Sequence, residues 1–283
     1  MPRLLDFLMM NGSAQFDGLV ELPLIVADNV AHYWYEDSMD GAAAWDLRKD
    51  FPNLAPPFQD FFIEFRAPKV GLKADLMFGC RFISKEEDDY WDTKIQLYSK
   101  LGNAEPMKAA AEWFLRIGHD GQLQDVVNGM INPATGKKRS VVNVLCTEDY
   151  YEMSQDLKVL GILPCLFAIS LLHCKNVELK TQIPPVQLSK KHQKKTGQPL
   201  VRYKVLEIEP MKKVLRTEGQ SQTLGLKHAL HICRGHFKDY SNGGGLFGKY
   251  KGLYWWESHV RGDPSHGVVV KDYNVNPPTD APT

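Results

Sequence analysis

The chain has 283 residues, of which 43% are hydrophobic and 24% are charged, as in an ordinary globular protein. This length accommodates one large domain or two of ordinary size. Its 22 glycines and 17 prolines are dispersed, which excludes a low-complexity chain. No stretch of eighteen consecutive apolar residues occurs, so no membrane-spanning segment is predicted.

A net charge of zero conceals an uneven distribution of charge along the chain. Residues 1–179 hold 17 Lys/Arg and 26 Asp/Glu, whereas residues 180–272 hold 17 and 7. A basic surface for phosphates and an internal contact that neutralises both parts would each explain this division. We therefore predict an acidic α/β part over 1–179, a basic β-rich part over 180–275 and a disordered tail over 276–283.

The cysteine pattern excludes two classes of small protein. Five cysteines make an odd number and no CxxC pair occurs, so neither a disulfide framework nor a zinc knuckle is indicated. Reduced and mostly buried thiols in a cytoplasmic protein are expected instead.

The first half of the chain predicts two helices and three strands. Apolar residues from Leu19 to Val30 recur at helical spacing, and the first helix is expected to start near Pro23. The second helix is a short one that begins with the alanines at 42–44 and extends to Phe51. Alternating apolar and polar residues predict a strand over Phe61–Phe65, and two further strands are expected at Asp75–Ser84 and Trp113–Ile117.

The segment Glu148–Cys174 predicts the central helix of the protein. Thr147 is a suitable N-cap, and the carboxylates that follow it complement the helix N-terminus. From Leu157 onward the segment is apolar on all sides, so the helix should be buried on all sides. Pro164 is expected to kink it or to split it in two.

The segment after this helix combines two strands with a lysine-rich run. A short strand is predicted over 176–185, and clean alternation predicts another over 199–210. Four lysines lie between them in what is expected to be a mobile loop: Lys190, Lys191, Lys194 and Lys195. They are interpreted either as a solubilising linker or as contacts to a phosphate backbone.

The stretch Leu226–Val275 is the densest in side chains that bind or catalyse. Alternation predicts strands near 228–240, 253–262 and 267–275, the first two pairing around a glycine-rich turn. The predicted fold class is therefore α+β. It has a central kinked helix on a mixed sheet and a C-terminal antiparallel β-sheet or small barrel of about four strands over 199–275.

Several side chains of this stretch have suitable chemistry for a metal, but their spacing argues against one. On an alternating strand His228 and His236 share a face, whereas Cys233 points to the other. Zinc needs ligands that converge. No metal site and no cofactor are therefore predicted.

Basic and aromatic residues interleave in the same stretch, a pattern typical of nucleic-acid binding. The cations are supplied by Arg234, Lys238, Lys249, Lys251 and Arg261. The flat faces are supplied by Tyr240, Phe247, Tyr250, Tyr254, Trp255 and Trp256. The alternative is that the aromatic rings pack into the protein's own core while the basic side chains are merely solvated.

A metal-independent ribonuclease is the catalytic form of this hypothesis. His236 and His259 would act as general base and general acid, and Arg234 and Arg261 would stabilise the phosphorane charge. The competing hypothesis is a non-enzymatic protein that binds a host factor or assembles as a homo-oligomer.

Five segments of the second half carry a resemblance to a known family. They are Lys194–Leu200, Tyr203–Ile208, His231–Lys238, Tyr254–Trp256 and Gly267–Tyr273. In this order they resemble an uncharacterised family of proteins encoded by tailed bacteriophages and prophages. The resemblance implies a phage-encoded, intracellular protein that is early-expressed or accessory, and it implies no established activity. Together with the basic and aromatic residues, it leads us to expect RNA or DNA, or else a host protein, as partner in the host cytoplasm, and no membrane.

Overall fold

A computed structural model describes twelve segments of the chain. These are residues 3–10, 22–31, 34, 50–67, 76–124, 143–144, 158–197, 199–211, 229–233, 235–257, 259–261 and 263–268. The helices are α1 (Leu4–Met10), a π-helical turn (Lys158–Ile162), α2 (Leu163–Leu172) and α3 (Val186–Thr196). The strands are β1 (Leu24–Val26), β2 (Asp60–Arg66), β3 (Leu76–Glu86), β4 (Tyr90–Leu101), β5 (Met107–Gly118), β6 (Asn143–Val144), β7 (Val177–Gln182), β8 (Tyr203–Ile208), β9 (Ala229–Cys233), β10 (His236–Asp239), β11 (Leu253–Trp256), β12 (His259–Arg261) and β13 (Asp263–Val268).

Eight of these strands form one mixed sheet in the order β6-β5-β4-β3-β2-β1-β8-β7. β1 runs parallel to both β2 and β8, and the remaining pairs are antiparallel. The α+β class and the mixed sheet predicted from the sequence are therefore confirmed. Among the described residues the strands form no closed barrel.

Each face of the large sheet is covered by a helix. Phe61, Ile63 and Phe65 of β2 pack in the core that contains α2. The intervening Phe62 belongs to a second core built on α1, whose Leu4 is fully buried. Because side chains alternate along a strand, one strand contributes to two cores.

Helix α2 is buried around its whole circumference, as its sequence predicts. Nine of its ten residues are buried. The helix changes from π to α geometry at Leu163, and Pro164 lies in the first turn, where its missing N–H leaves no helical hydrogen bond unmade. Gly161 permits the close approach to the sheet, since a Cβ there would lie 2.8 Å from Cδ1 of Leu97.

The sequence predicts a helix that starts near Pro23. This prediction is wrong over Leu24–Val26, which forms the strand β1. These residues are at most 2% exposed and are paired on both sides by parallel strands. A strand buried on both faces is apolar throughout, so its sequence lacks the alternation that identifies half-buried strands. The helical spacing read from Leu19 to Val30 was therefore misleading at this point.

The lysine-rich segment predicted as a mobile loop is helix α3. Its sequence consists mainly of good helix formers, and Gly197 ends it in the left-handed region at a φ of 83°. The strand predicted over 199–210 is confirmed as β8, but it lies in the large sheet and not in a C-terminal one. The predicted boundary at residue 179 falls within β7, which belongs to the same sheet.

The C-terminal strands form two small sheets. β10 and β11 make an antiparallel pair, and β9 lies between β12, which is antiparallel to it, and β13, which is parallel to it. The third predicted strand overlaps β13 only at its start, and 269–275, like the tail, lies outside the described residues. In the part of the chain that is described, no helix is both long and apolar enough for a membrane span.

Candidate nucleic-acid interface

The β10–β11 hairpin rests on the central helix through a cluster of three aromatic rings. Phe237 and Trp255 face each other across the hairpin, with ring centres 4.8 Å apart. Both contact Phe167 of α2, at 5.6 and 5.1 Å. Trp255 is only 1% exposed, so this face of the hairpin belongs to the protein core.

Asn176 fastens the hairpin to the large sheet. Its Nδ2 donates to the carbonyl of Trp255 at 2.9 Å, and its Oδ1 accepts from the N–H of Trp255 at 3.0 Å. Nδ2 also donates to the carbonyl of Glu209 at 2.9 Å, and the N–H of Lys175 donates to Leu253. The buried amide thus pairs with β11 much as a neighbouring strand would.

The opposite face of the hairpin presents cations next to flat rings. Lys238 is exposed and lies opposite Tyr254 in the strand register. Its Nζ lies 5.5 Å from the ring centre of Trp256 and 5.9 Å from that of Tyr240. Exposed His236 lies opposite Trp256 at the end of the same pair of strands.

The contacts continue toward the tip of the hairpin. Tyr254 lies 6.0 Å from Tyr240 and 6.3 Å from Tyr250, between ring centres, and Nζ of Lys249 lies 5.8 Å from the centre of Tyr250. The connected set, called the ring–lysine row below, consists of Trp256, Lys238, Tyr240, Tyr254, Tyr250 and Lys249.

Tyr254 supports this row from beneath. It is only 7% exposed, and burial raises the pKa of its hydroxyl. The sequence analysis proposed Tyr254 as a stacking face, but little of its ring is open to a ligand. Tyr240, another of the aromatic residues named from the sequence, is more exposed. It lies two residues after Lys238, so strand alternation places both side chains on the same face.

The two proposed catalytic histidines lie in different sheets. His236 is on β10 and pairs with Trp256 of β11, whereas His259 is on β12 and pairs with Cys233 of β9, as Arg261 does with His231. The sequence correctly predicts that the strands on either side of the glycine-rich turn pair. Arg234 lies outside the described residues.

The four lysines of α3 lie away from the hairpin. Lys190, Lys191, Lys194 and Lys195 are all exposed on a helix that has no buried residue. Asn176 holds the hairpin where β7 begins, and α3 follows the point where β7 ends. A six-residue strand spans about 20 Å. The predicted binding residues therefore divide between two places.

A second polar cluster lies where α1 meets the sheet. Glu64 is 1% exposed, and its Oε2 accepts from the N–H of Leu5 at 3.0 Å. Arg3 pairs with Asp28, and its Nη1 lies 2.7 Å from Oδ2 of that residue. The Nε atom of Arg3 lies 3.9 Å from Oε1 of Glu64. The loss of solvation on burial therefore outweighs the attraction to Arg3, and it raises the pKa of Glu64 to about 8.

No family model, curated protein or solved structure matches this chain. The function is therefore argued from the geometry of its own residues. Within the described residues, no group of three or more histidine, cysteine or carboxylate side chains is arranged to hold a metal ion.

Proposed function

We propose that this protein binds nucleic acid through the ring–lysine row on the outer face of the β10–β11 hairpin. The alternation of flat rings with ammonium groups along one firmly held hairpin is the observation that carries the proposal. Aromatic rings stack on bases, and lysines neutralise the phosphates between them. Lys238 supplies the cation, and the ring centres of Trp256 and Tyr240 each lie within 6 Å of its Nζ.

The resemblance to phage-encoded proteins supplies the biological setting of this proposal. The protein would act in the host cytoplasm, on RNA or DNA, without a cofactor. Helix α3 would offer a second contact to the backbone of a longer ligand. Its lysines follow the end of β7 opposite to the one that holds the hairpin, and they would contact phosphates further along the strand.

Substitution of Lys238 tests the proposal. Binding of labelled 20-nucleotide RNA and DNA should weaken about ten-fold in Lys238→Ala, because one charge-assisted contact contributes roughly 1–2 kcal/mol. The slope of log K against log salt should become shallower by about 0.7–0.9, as expected for one lost phosphate contact. Fluorescence anisotropy at several salt concentrations measures both quantities.

Lys85→Ala is the matched control. Lys85 is also an exposed lysine, on β3, where it pairs with Glu87 at 2.6 Å. This variant removes the same charge elsewhere and should bind as the wild type does. Equal loss in both variants would indicate a general charge effect and would contradict the proposed site.

The catalytic form of the proposal is a metal-independent ribonuclease. It requires His236 of β10 and His259 of β12 to reach the same scissile phosphate from two different sheets. Cleavage of labelled RNA that disappears in both His236→Ala and His259→Ala would support it. Cleavage retained in both variants, or absent from the wild type, would leave nucleic-acid binding alone.

A protein partner is the second candidate function, and one observation favours it. Ile183, Val186 and Leu188, before and within α3, are 66%, 65% and 52% exposed. Such a group of large apolar side chains is typical of contacts with another protein, either a host factor or a second copy of this chain. Failure to bind any nucleic acid at low salt would favour this candidate.

A further inference from the structure

The connection between β10 and β11 is built as an ordered turn. The N–H of Tyr240 donates to the carbonyl of Gly252 at 2.8 Å, which closes the base of the loop. Nearer the tip, Leu246 and Tyr250 exchange two backbone hydrogen bonds of 2.9 and 3.0 Å. The three residues between them therefore form the end of a small hairpin, with Phe247 at its first position.

Phe247 has an unfavourable backbone conformation and exposes its apolar ring to water. Its φ is 54°, in the left-handed region that glycine adopts freely and that a residue with a side chain adopts only against steric repulsion. Its side chain is also 58% exposed. Burial within this chain therefore does not compensate for the strain, and strained residues of this kind concentrate where ligands bind.

The surroundings of Phe247 indicate what its ring would meet. Lys249 lies two residues further along the same turn and is the last member of the ring–lysine row. Lys251 follows it and is exposed as well. Phe247 therefore belongs to the same short turn as a lysine that would attract phosphates, at the tip end of the row proposed to bind nucleic acid.

We infer that the ligand is single-stranded and that Phe247 stacks on one of its unpaired bases, an inference that rests on the proposed function. In a duplex both faces of every internal base are already stacked, so a protruding ring finds no free face. An unpaired base offers its face to any aromatic ring, whatever the sequence. The two lysines of the ring–lysine row, Lys238 and Lys249, also suit contact with a single phosphate backbone.

Probes of equal length separate the two forms of nucleic acid. Labelled dT12, U12 and a 12-base-pair DNA duplex are titrated with the full chain at low salt. The wild type should bind both single strands more tightly than the duplex. Phe247→Ala should weaken single-strand binding about ten-fold, the usual effect of losing one stacked base, and should leave the salt slope unchanged. Phe247→Trp keeps an aromatic ring at this position and should bind as the wild type does.

Two further variants distinguish the loss of a stacking ring from a general loss of structure. Phe247→Gly removes the ring and relieves the left-handed strain, so its Tm should be no lower than that of the wild type while its single-strand binding falls. Met107→Ala removes an equally exposed apolar side chain, 67% exposed on β5, and should bind normally.

The possible failures are distinguishable. Tight duplex binding by the wild type, or single-strand binding that Lys238→Ala weakens and Phe247→Ala does not, would overturn this inference and leave the proposed function standing. Binding to none of the three probes would overturn the proposed function, and this inference with it.

Discussion

Gly235 shows how one residue positions the candidate interface. A Cβ at this position would lie 2.6 Å from Cζ2 and 2.9 Å from Cη2 of Trp255. The indole ring is buried and packs against Phe167 and Phe237, so these rings oppose its displacement by an added methyl group. The glycine of the Arg-Gly-His motif is therefore explained by the ring that lies against it.

Gly235→Ala should accordingly destabilise the protein. We expect a loss of about 1–3 kcal/mol in the free energy of unfolding, the usual cost of adding a methyl group to a packed core. Urea unfolding followed by tryptophan fluorescence measures it. Gly244→Ala is the control, because a Cβ there meets no atom within 4 Å. A Gly235→Ala protein as stable as this control would show that Trp255 yields easily.

At the scale of elements, a buried amide side chain helps to hold the hairpin in place. Asn176 is 4% exposed and makes three hydrogen bonds to backbone groups of Trp255 and Glu209. These bonds join β11 to the segment that leads into β7. The outer face of the hairpin is therefore held by the edge of the large sheet as well as by the ring cluster on α2.

Replacement of this amide should loosen the hairpin. Asn176→Ala leaves buried backbone groups without partners, and we expect a loss of about 2–4 kcal/mol in stability. Hydrogen exchange should also become faster at the N–H of Trp255. Asn242→Ala, at an exposed position of the same hairpin, is the control. Unchanged exchange at Trp255 in Asn176→Ala would contradict this account of how the hairpin is held.

At the scale of the whole molecule, buried layers lie on both sides of the sheet. Helix α2 is enclosed between the sheet, the hairpin and the 51–55 segment, where Oγ of Ser170 donates to the carbonyl of Asn53 at 2.9 Å. Helix α1 closes the other face and buries Glu64 beneath it. A carboxyl group at such a place links the stability of the whole fold to pH.

The pH dependence follows from the raised pKa of Glu64. The folded protein keeps the proton up to about pH 8, whereas an unfolded chain releases it near 4.5. Between these values the folded state binds one more proton, so the contribution of this group to stability falls as the pH rises. The slope is at most about 1.4 kcal/mol per pH unit.

Glu64→Gln should therefore flatten the stability profile. Urea unfolding from about pH 5 to about pH 8 should show a smaller decline in this variant than in the wild type, because glutamine stays neutral. Arg3, Asp6 and Asp28 also face this carboxyl and are unchanged in the variant. Glu86→Gln, at an exposed carboxylate, should retain the wild-type slope. Parallel profiles for Glu64→Gln and the wild type would refute the assignment.

Much of the local structure was determined by the sequence alone. A run that is apolar on all sides can only be buried, so the position of α2 followed from residues 157–174. Alternation identified β2 and β8 correctly, and the glycine-rich turn predicted the pairing of the strands on either side of it. These features depend on the periodicity of neighbouring residues, which the chain carries in itself.

The tertiary structure decided what depends on distant neighbours. Leu24–Val26 became a strand because β2 and β8 lie on both sides of it. Strand parity separates Trp255 from Trp256, but only the position of α2 determines which of the two is buried. The sequence named Phe247 only as one of several flat side chains and did not single out Asn176, since exposure at a turn and a hydrogen bond across 79 positions are not local properties. The candidate interface arises from such long-range contacts, because burial is decided by what the rest of the chain places on each side of a residue.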